Sequence, residues 1–186
     1  MSYVLQTIND TSGEKKVRNV DIYKNLVYKD IELHTFKQVD ASGSQDVVVR
    51  NAVSADPAEG VDSAVIARFV AFRDAKLRNI LQFALVEEPQ AYADDGLDLV
   101  DDRFRYWMKL PSNFRDSTLQ ALAEYMHRFL VFGALYDWYS QMGMTQQASV
   151  YGSQLQELED EISSILRGPS IAKRPMQPFG PAEKFK

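Results

Sequence analysis

The chain contains no cysteine, so disulfides, thiolate nucleophiles, CxxC redox chemistry and every zinc or iron–sulfur site that needs sulfur ligands are excluded together. Histidine is almost as scarce, with only His34 and His127, too few for a histidine-rich metal centre. No strong charge bias is present either: 21 Lys and Arg against 26 Asp and Glu give a net charge of -5. That is too mild for a protein whose whole surface grips nucleic acid, and any contact with a polyanion has to be local. Long apolar runs are absent as well. The longest, from Phe129 to Tyr136, is far short of the ~20 residues of a spanning helix, and the opening MSYVLQTIND lacks the basic and apolar regions of an export signal. A soluble, non-exported protein without a membrane partner is expected. What is present is ordinary globular material, 45% hydrophobic and 25% charged over 186 residues, enough for one core and a small appendage.

Three regions follow from patterning: a strand-rich N-terminal region over residues 1–60, a helical core domain over 61–167 with an acidic loop at 87–102, and an extended arm over 168–186. In the first region Ile31 to Val39 alternates apolar and polar, Asp40-Ala41-Ser42-Gly43-Ser44 reads as a turn and Val47-Val48-Val49 as a return strand, predicting a β-hairpin. Asp62 or Ser63 opens a helix whose stripe runs through Ile66, Phe69, Val70, Leu77, Ile80, Leu81, Ala84 and Leu85 and which is expected to end at Glu87-Glu88-Pro89. Arg103 to Leu110 alternates basic with aromatic or apolar residues and predicts a strand that Pro111 stops. With Asp116 as its N-cap, a helix of about 26 residues (~40 Å) then carries Leu119, Leu122, Tyr125, Met126, Phe129, Phe132, Tyr136 and Tyr139 at helical spacing. Gly143 ends it, and Thr145 caps a second helix with Ala148, Tyr151, Leu155, Leu158 and Ile162 on one stripe. The fold class expected is α+β, mainly α: a long C-terminal antiparallel helix hairpin packed with a further helix, a small N-terminal β-hairpin region and an extended C-terminal arm.

Chemistry-bearing constellations are few. Asp94, Asp95, Asp98, Asp101 and Asp102 are hard oxygen donors, but their order does not match a calcium loop, and the loop is read as solvated or partner-facing with no metal. His127 has only Glu124 within a helical turn and is read as structural. Glu157 and Glu161 share a helix face that is expected to meet solvent. No nucleophile elbow and no glycine-rich phosphate loop occur, so no catalytic, cofactor or metal residues are assigned and no enzyme is expected. Tyr125, Phe129, Phe132, Tyr136, Trp138 and Tyr139 belong to a core or to a subunit interface, because their helix is apolar on more than one side. In the arm, prolines block regular pairing while Lys173, Arg174, Pro175, Met176, Phe179, Lys184 and Phe185 offer spaced charges and apolar anchors for a partner.

Residues 103–186 resemble the head-tail connector (adaptor, or neck-ring) proteins of tailed bacteriophages, in particular the crAss-like and related phages. The resemblance rests on Leu110-Pro111 leading into a long helix, on Ala134-Leu135-Tyr136-Asp137-Trp138-Tyr139, on the turn Gly143-Met144-Thr145, on Ala148, Tyr151 and Leu155 of the second helix, and on the basic tail after Arg167. Residues 1–60 depart from the smallest members. The resemblance implies a structural virion protein of the phage neck, made in the host cytoplasm, that forms a homo-oligomeric ring of about twelve copies. Its partners would be the portal and other neck or tail proteins, and the ring would continue the DNA channel. The acidic loop could line or abut that channel without holding DNA, since acids offer no counterion release. From a different class, a helical binding module that takes a partner peptide in an aromatic groove fits the same residues.

Overall fold

The computed structural model describes residues 3–8, 15–42, 60–87, 102–111 and 113–167. It is mainly helical. Strand β1 (Tyr3–Ile8) pairs antiparallel with β2 (Lys15–Tyr23), and helix α1 (Lys24–Ser42) follows without a break. Helix α2 (Gly60–Leu81), strand β3 (Arg103–Pro111), helix α3 (Asp116–Gln141) and helix α4 (Thr145–Arg167) complete the order. The sheet order is β1-β2-β3, so the N-terminal hairpin and the strand after α2 form one layer.

Register explains which face of that layer is covered. Val20 lies opposite Tyr106 and Ile22 opposite Phe104, and all four join Met108 and Leu110 in the buried core. Side chains alternate across a strand, so Asn19, Asp21, Arg103, Arg105 and Trp107 point to the other face. Asp21 takes Arg103 Nη1 at 3.0 Å and Arg105 Nε at 3.2 Å there. The second face is covered as well at its centre, where Trp107 is only 5% exposed.

The expected strand over 31–39 is instead the second half of α1. Val27, Ile31 and Thr35 are fully buried, whereas Leu33 and Phe36 are exposed. A period of four beginning at Val27 therefore overrides the short alternation that begins at Ile31, and a strand would have placed Leu33 beside Ile31 on the inner face. The proposed return strand Val47–Val49 lies outside the described residues, as do positions 88–101 of the acidic loop and the arm 168–186.

Two helix limits also move. Helix α2 ends at Leu81, short of the expected Glu87, because the backbone of 84–86 joins the sheet: Val86 N–H donates to Trp107 O at 2.9 Å, and Lys109 N–H donates to Ala84 O at 2.7 Å. Pairing with β3 satisfies these groups better than another turn of helix would. Asp116 is the first residue of α3, not its cap; extended Arg115 precedes it and supplies no side-chain cap, while Asp116 meets Arg18 Nη1 at 3.0 Å. Thr145 is likewise the first residue of α4. Gly143 fulfils its expected role with φ 72, and Met144 N–H reaches back to Tyr139 O at 2.9 Å. This closing bond needs the left-handed residue between the helices and directs α4 back along α3.

Helix α3 is the centre of the molecule. Leu119, Leu122, Met126, His127, Leu130, Val131, Leu135 and Trp138 are buried around its circumference, with α1, α2, α4 and the sheet packed about it. Its all-round hydrophobicity thus answers to the chain's own elements. Phe129, Trp138 and Tyr139 are buried, and Tyr125, Phe132 and Tyr136 lie partly buried against the same core.

Candidate functional site

Two arrangements concentrate polar and aromatic side chains, one on each side of α3. The first is a groove between α2 and α4, about 660 Å³ in volume, with Phe129 and Tyr136 of α3 at its base and Lys76, Leu155 and Glu159 among its walls. Arg73 anchors one end. Its Nε donates to Asp137 Oδ2 at 2.8 Å and its Nη2 to Asp137 Oδ1 at 2.5 Å, and its guanidinium lies 5.4 Å from the Tyr136 ring and 5.5 Å from the Phe72 ring. Arginine at 3% exposure is sustained only by such pairing. Gly133 makes room for it: a Cβ there would stand 2.5 Å from Arg73 Cδ. Beside it, Lys76 Nζ is 4.7 Å from the Phe72 ring, and Phe72 is half exposed. Next to Arg73 in the chain, Asp74 accepts from Tyr106 Oη at 2.6 Å and from Arg78 Nε at 3.0 Å. Burial and the adjacent Asp74 carboxylate push the Tyr106 phenol well above its ordinary range.

The second arrangement is the seam where α1 meets α3 and α4, and it contains both of the chain's histidines. His127 is buried on α3 and its Nε2 donates to Asp30 Oδ2 of α1 at 2.7 Å. Glu124, its expected neighbour, is engaged by Arg128 instead. One turn beyond Asp30, His34 sets its ring edge-on to Phe132 at 5.5 Å and to Tyr151 at 6.1 Å, and the Tyr151 hydroxyl lies 3.4 Å from its Nδ1. Tyr139 stacks on Tyr151 with an interplanar angle of 8°. Burial, followed by the Lys37 charge, lowers the His34 pKa, and the opposing pull of Asp30 is weaker. Burial also raises the Tyr139 phenol.

Structural placement of the sequence candidates is uneven. Phe129 and Tyr136 come together at the groove, whereas Phe132 and Tyr139 come together at the seam; Trp138 is core. Glu157 and Glu161 are exposed. Lys173, Arg174, Pro175, Met176, Phe179, Lys184 and Phe185 lie outside the described residues. Sequence reading missed the Arg73 to Asp137 clamp and the Asp30 to His127 contact, because the partners are 64 and 97 positions apart and no local spacing marks them. Gly133 was the one available signal, a glycine in the middle of a long helix, where it costs stability unless something packs close. Among the described residues no group of three or more acidic or histidine side chains is placed to hold a metal ion, and no helix is long and apolar enough to cross a membrane. No family model, curated protein or solved structure matches the chain.

Proposed function

We propose that this chain is a structural virion protein of the phage neck, without enzymatic activity, which forms a homo-oligomeric ring between portal and tail and continues the DNA channel. What supports the reading is the position of the residues that carry the family resemblance. Leu110 and Pro111 close β3, Ala134 to Tyr139 lie in α3, Gly143 makes the turn, and Ala148, Tyr151 and Leu155 lie in α4. They form one continuous strand–helix–turn–helix unit whose central helix is enclosed by its own chain. Such a block keeps its shape under lateral contact, as a ring subunit needs, and leaves subunit contacts to the outer faces of α1, α2 and α4. Exposed Phe36, Phe72 and Phe83 are on or next to those helices, Phe83 at 95% exposure. In this reading the arm over 168–186 docks on a neighbour or on the portal, and the acidic stretch 87–102 faces the channel. Negative-stain images and light scattering test it: rings with a central hole are expected, and a protein that stays monomeric at micromolar concentration, alone and with its virion partners, overturns it.

A second reading has its own observation. The groove between α2 and α4 combines an aromatic base with Lys76 of α2 and Glu159 of α4 in its walls, which suits a partner peptide lying against the helices. Loss of peptide capture on substituting Leu155→Asp in a monomeric protein would favour this reading over the ring.

A further inference from the structure

The sequence of the arm carries a period of three. Pro175, Pro178 and Pro181 recur at every third position, and Met176, Phe179 and Ala182 each follow one of them. A polyproline II helix turns once in three residues, so this spacing sets the prolines on one ridge and Met176, Phe179 and Ala182 on the next. The groove between α2 and α4 has the complementary chemistry. We propose that, in the unassembled chain, residues 173–181 lie as a polyproline II segment in the groove of their own subunit and close it as a latch until assembly draws the arm out. That last step belongs to the ring reading, and the latch itself does not depend on it.

The latch rests on the reading of the groove as a peptide site, and gives that site its occupant. Aromatic-lined grooves take proline ridges because ring faces pack against a backbone whose φ is already fixed. Phe129 and Tyr136 form such a base here. Gly152 leaves the Tyr136 ring open, since a Cβ at that position would stand 3.1 Å from Tyr136 Cε2. A polyproline II backbone makes no internal hydrogen bonds, so its carbonyls need donors from outside. Asn79 and Gln82 of α2 and Gln156 of α4 line the groove, and side-chain amides supply such donors. Charge agrees as well. Lys173 and Arg174 immediately precede the proline repeat, while Glu159 stands in the groove wall and Asp160 and Glu161 are exposed beside it on α4.

Reach decides between the chain's own arm and that of another copy. Helix α4 ends at Arg167, about one turn beyond Ser163 of the groove lining, so the arm starts at one end of the site. Gly168-Pro169 suits the reversal that this path needs. Pro175 to Pro181 extends about 19 Å as polyproline II, and the α4 wall from Gly152 to Ser163 extends about 17 Å. A segment tied this closely meets its own groove at an effective concentration on the order of millimolar, well above that of other copies in a micromolar solution.

The lack of cysteine makes the test clean, because a nitroxide on Gln177→Cys marks the arm alone in the full chain. Paramagnetic broadening of amide resonances is expected over 152–163 and 73–82 but not over 27–31 of α1, across α3 from the groove. An equal mixture that puts nitroxide and isotope on different copies should show none of it. The broadening should be lost in Leu155→Asp, and also when Pro175, Pro178 and Pro181 are all replaced by Ala, a change that leaves the helices untouched if the first variant does not fold. No broadening in the groove, broadening that appears in the mixed sample, or broadening that survives the proline replacement each overturns the latch. The proline variant also separates this outcome from the groove reading: its emptied groove should capture an added synthetic 173–181 peptide. Capture of that peptide without broadening in the parent chain would sink the latch and keep the groove reading.

Discussion

Arg73 and Asp137 form a two-point ion pair across the contact of α2 with α3, at 2.8 and 2.5 Å, and it exists because residue 133, one turn before Asp137, has no side chain. The guanidinium is almost wholly removed from water, so breaking the pair costs more than the pair contributes. Asp137→Ala leaves a buried cation unmatched and should destabilise by about 3 to 5 kcal/mol, whereas replacing both partners by apolar residues of similar size should be near neutral. Gly133→Ala forces the clamp to shift and should cost about 1 to 3 kcal/mol. Chemical denaturation of the three variants checks the order; equal losses for the single and double changes would show that packing, not charge, sets the cost.

Tyr139 and Trp138 are neighbours in α3 with opposite expected tolerances. The Tyr139 hydroxyl is buried and has no hydrogen-bond partner among the described residues, so Tyr139→Phe removes an unsatisfied group while the stacking on Tyr151 persists. Stability should stay level or rise by about 1 kcal/mol. Trp138 is 2% exposed, and Trp138→Ala opens a cavity worth about 3 to 5 kcal/mol. Thermal melts followed by circular dichroism measure both, and a large loss for Tyr139→Phe would mean that its hydroxyl is bonded in solution.

Alkaline stability should depend on Tyr106. Its folded pKa is raised by burial and by Asp74, so the folded state holds a proton that the unfolded chain releases near pH 10. The resulting stability is complete below about pH 10 and is lost as pH rises towards the folded value. In Tyr106→Phe that steep alkaline loss should flatten, although the variant starts lower at neutral pH by about 1 to 2 kcal/mol for the missing bond to Asp74. Absorbance near 295 nm during alkaline titration follows the phenolate, and ionisation of every tyrosine at the ordinary pH in the folded protein would refute this account.

Legibility in the sequence followed the range of the forces involved. The α3/α4 hairpin could be read because its determinants are local: apolar spacing, Gly143 between two helices, and Pro111 after a strand. The strand expected over 31–39 gives way to α1 because Ile31, Leu33 and Thr35 satisfy a period of two over only five residues, and what decides the matter is burial of Val27, Ile31 and Thr35. The end of α2 differs from the expected one for a similar reason: Ala84 and Leu85 continue the helical stripe, but Leu85 pairs with Met108. Candidate-site residues were least legible. An aromatic residue announces burial without saying against what, and the Arg73, Asp30 and His34 contacts arise only once four helices have been assembled.

The arm gives the test that joins fold to assembly. The buried core among the described residues runs from Val20 to Ile162, and α4 ends at Arg167 before Gly168-Pro169, a pair that disfavours further helix. Proline at 169, 175, 178 and 181 removes amide donors along the arm, and Ile171, Met176, Phe179 and Phe185 are too widely spaced to bury one another. Preset proline dihedrals reduce the ordering cost of docking on another surface, which Lys173, Arg174, Lys184 and Lys186 would favour if it is acidic. Deleting 168–186 should therefore keep helix content and shift the melting temperature by no more than about 4 °C, a change of about 1 kcal/mol for a chain of this size, while particle incorporation or ring formation is lost. A truncated chain that unfolds would mean that the arm packs within its own subunit, and one that assembles normally would remove the arm from the interface.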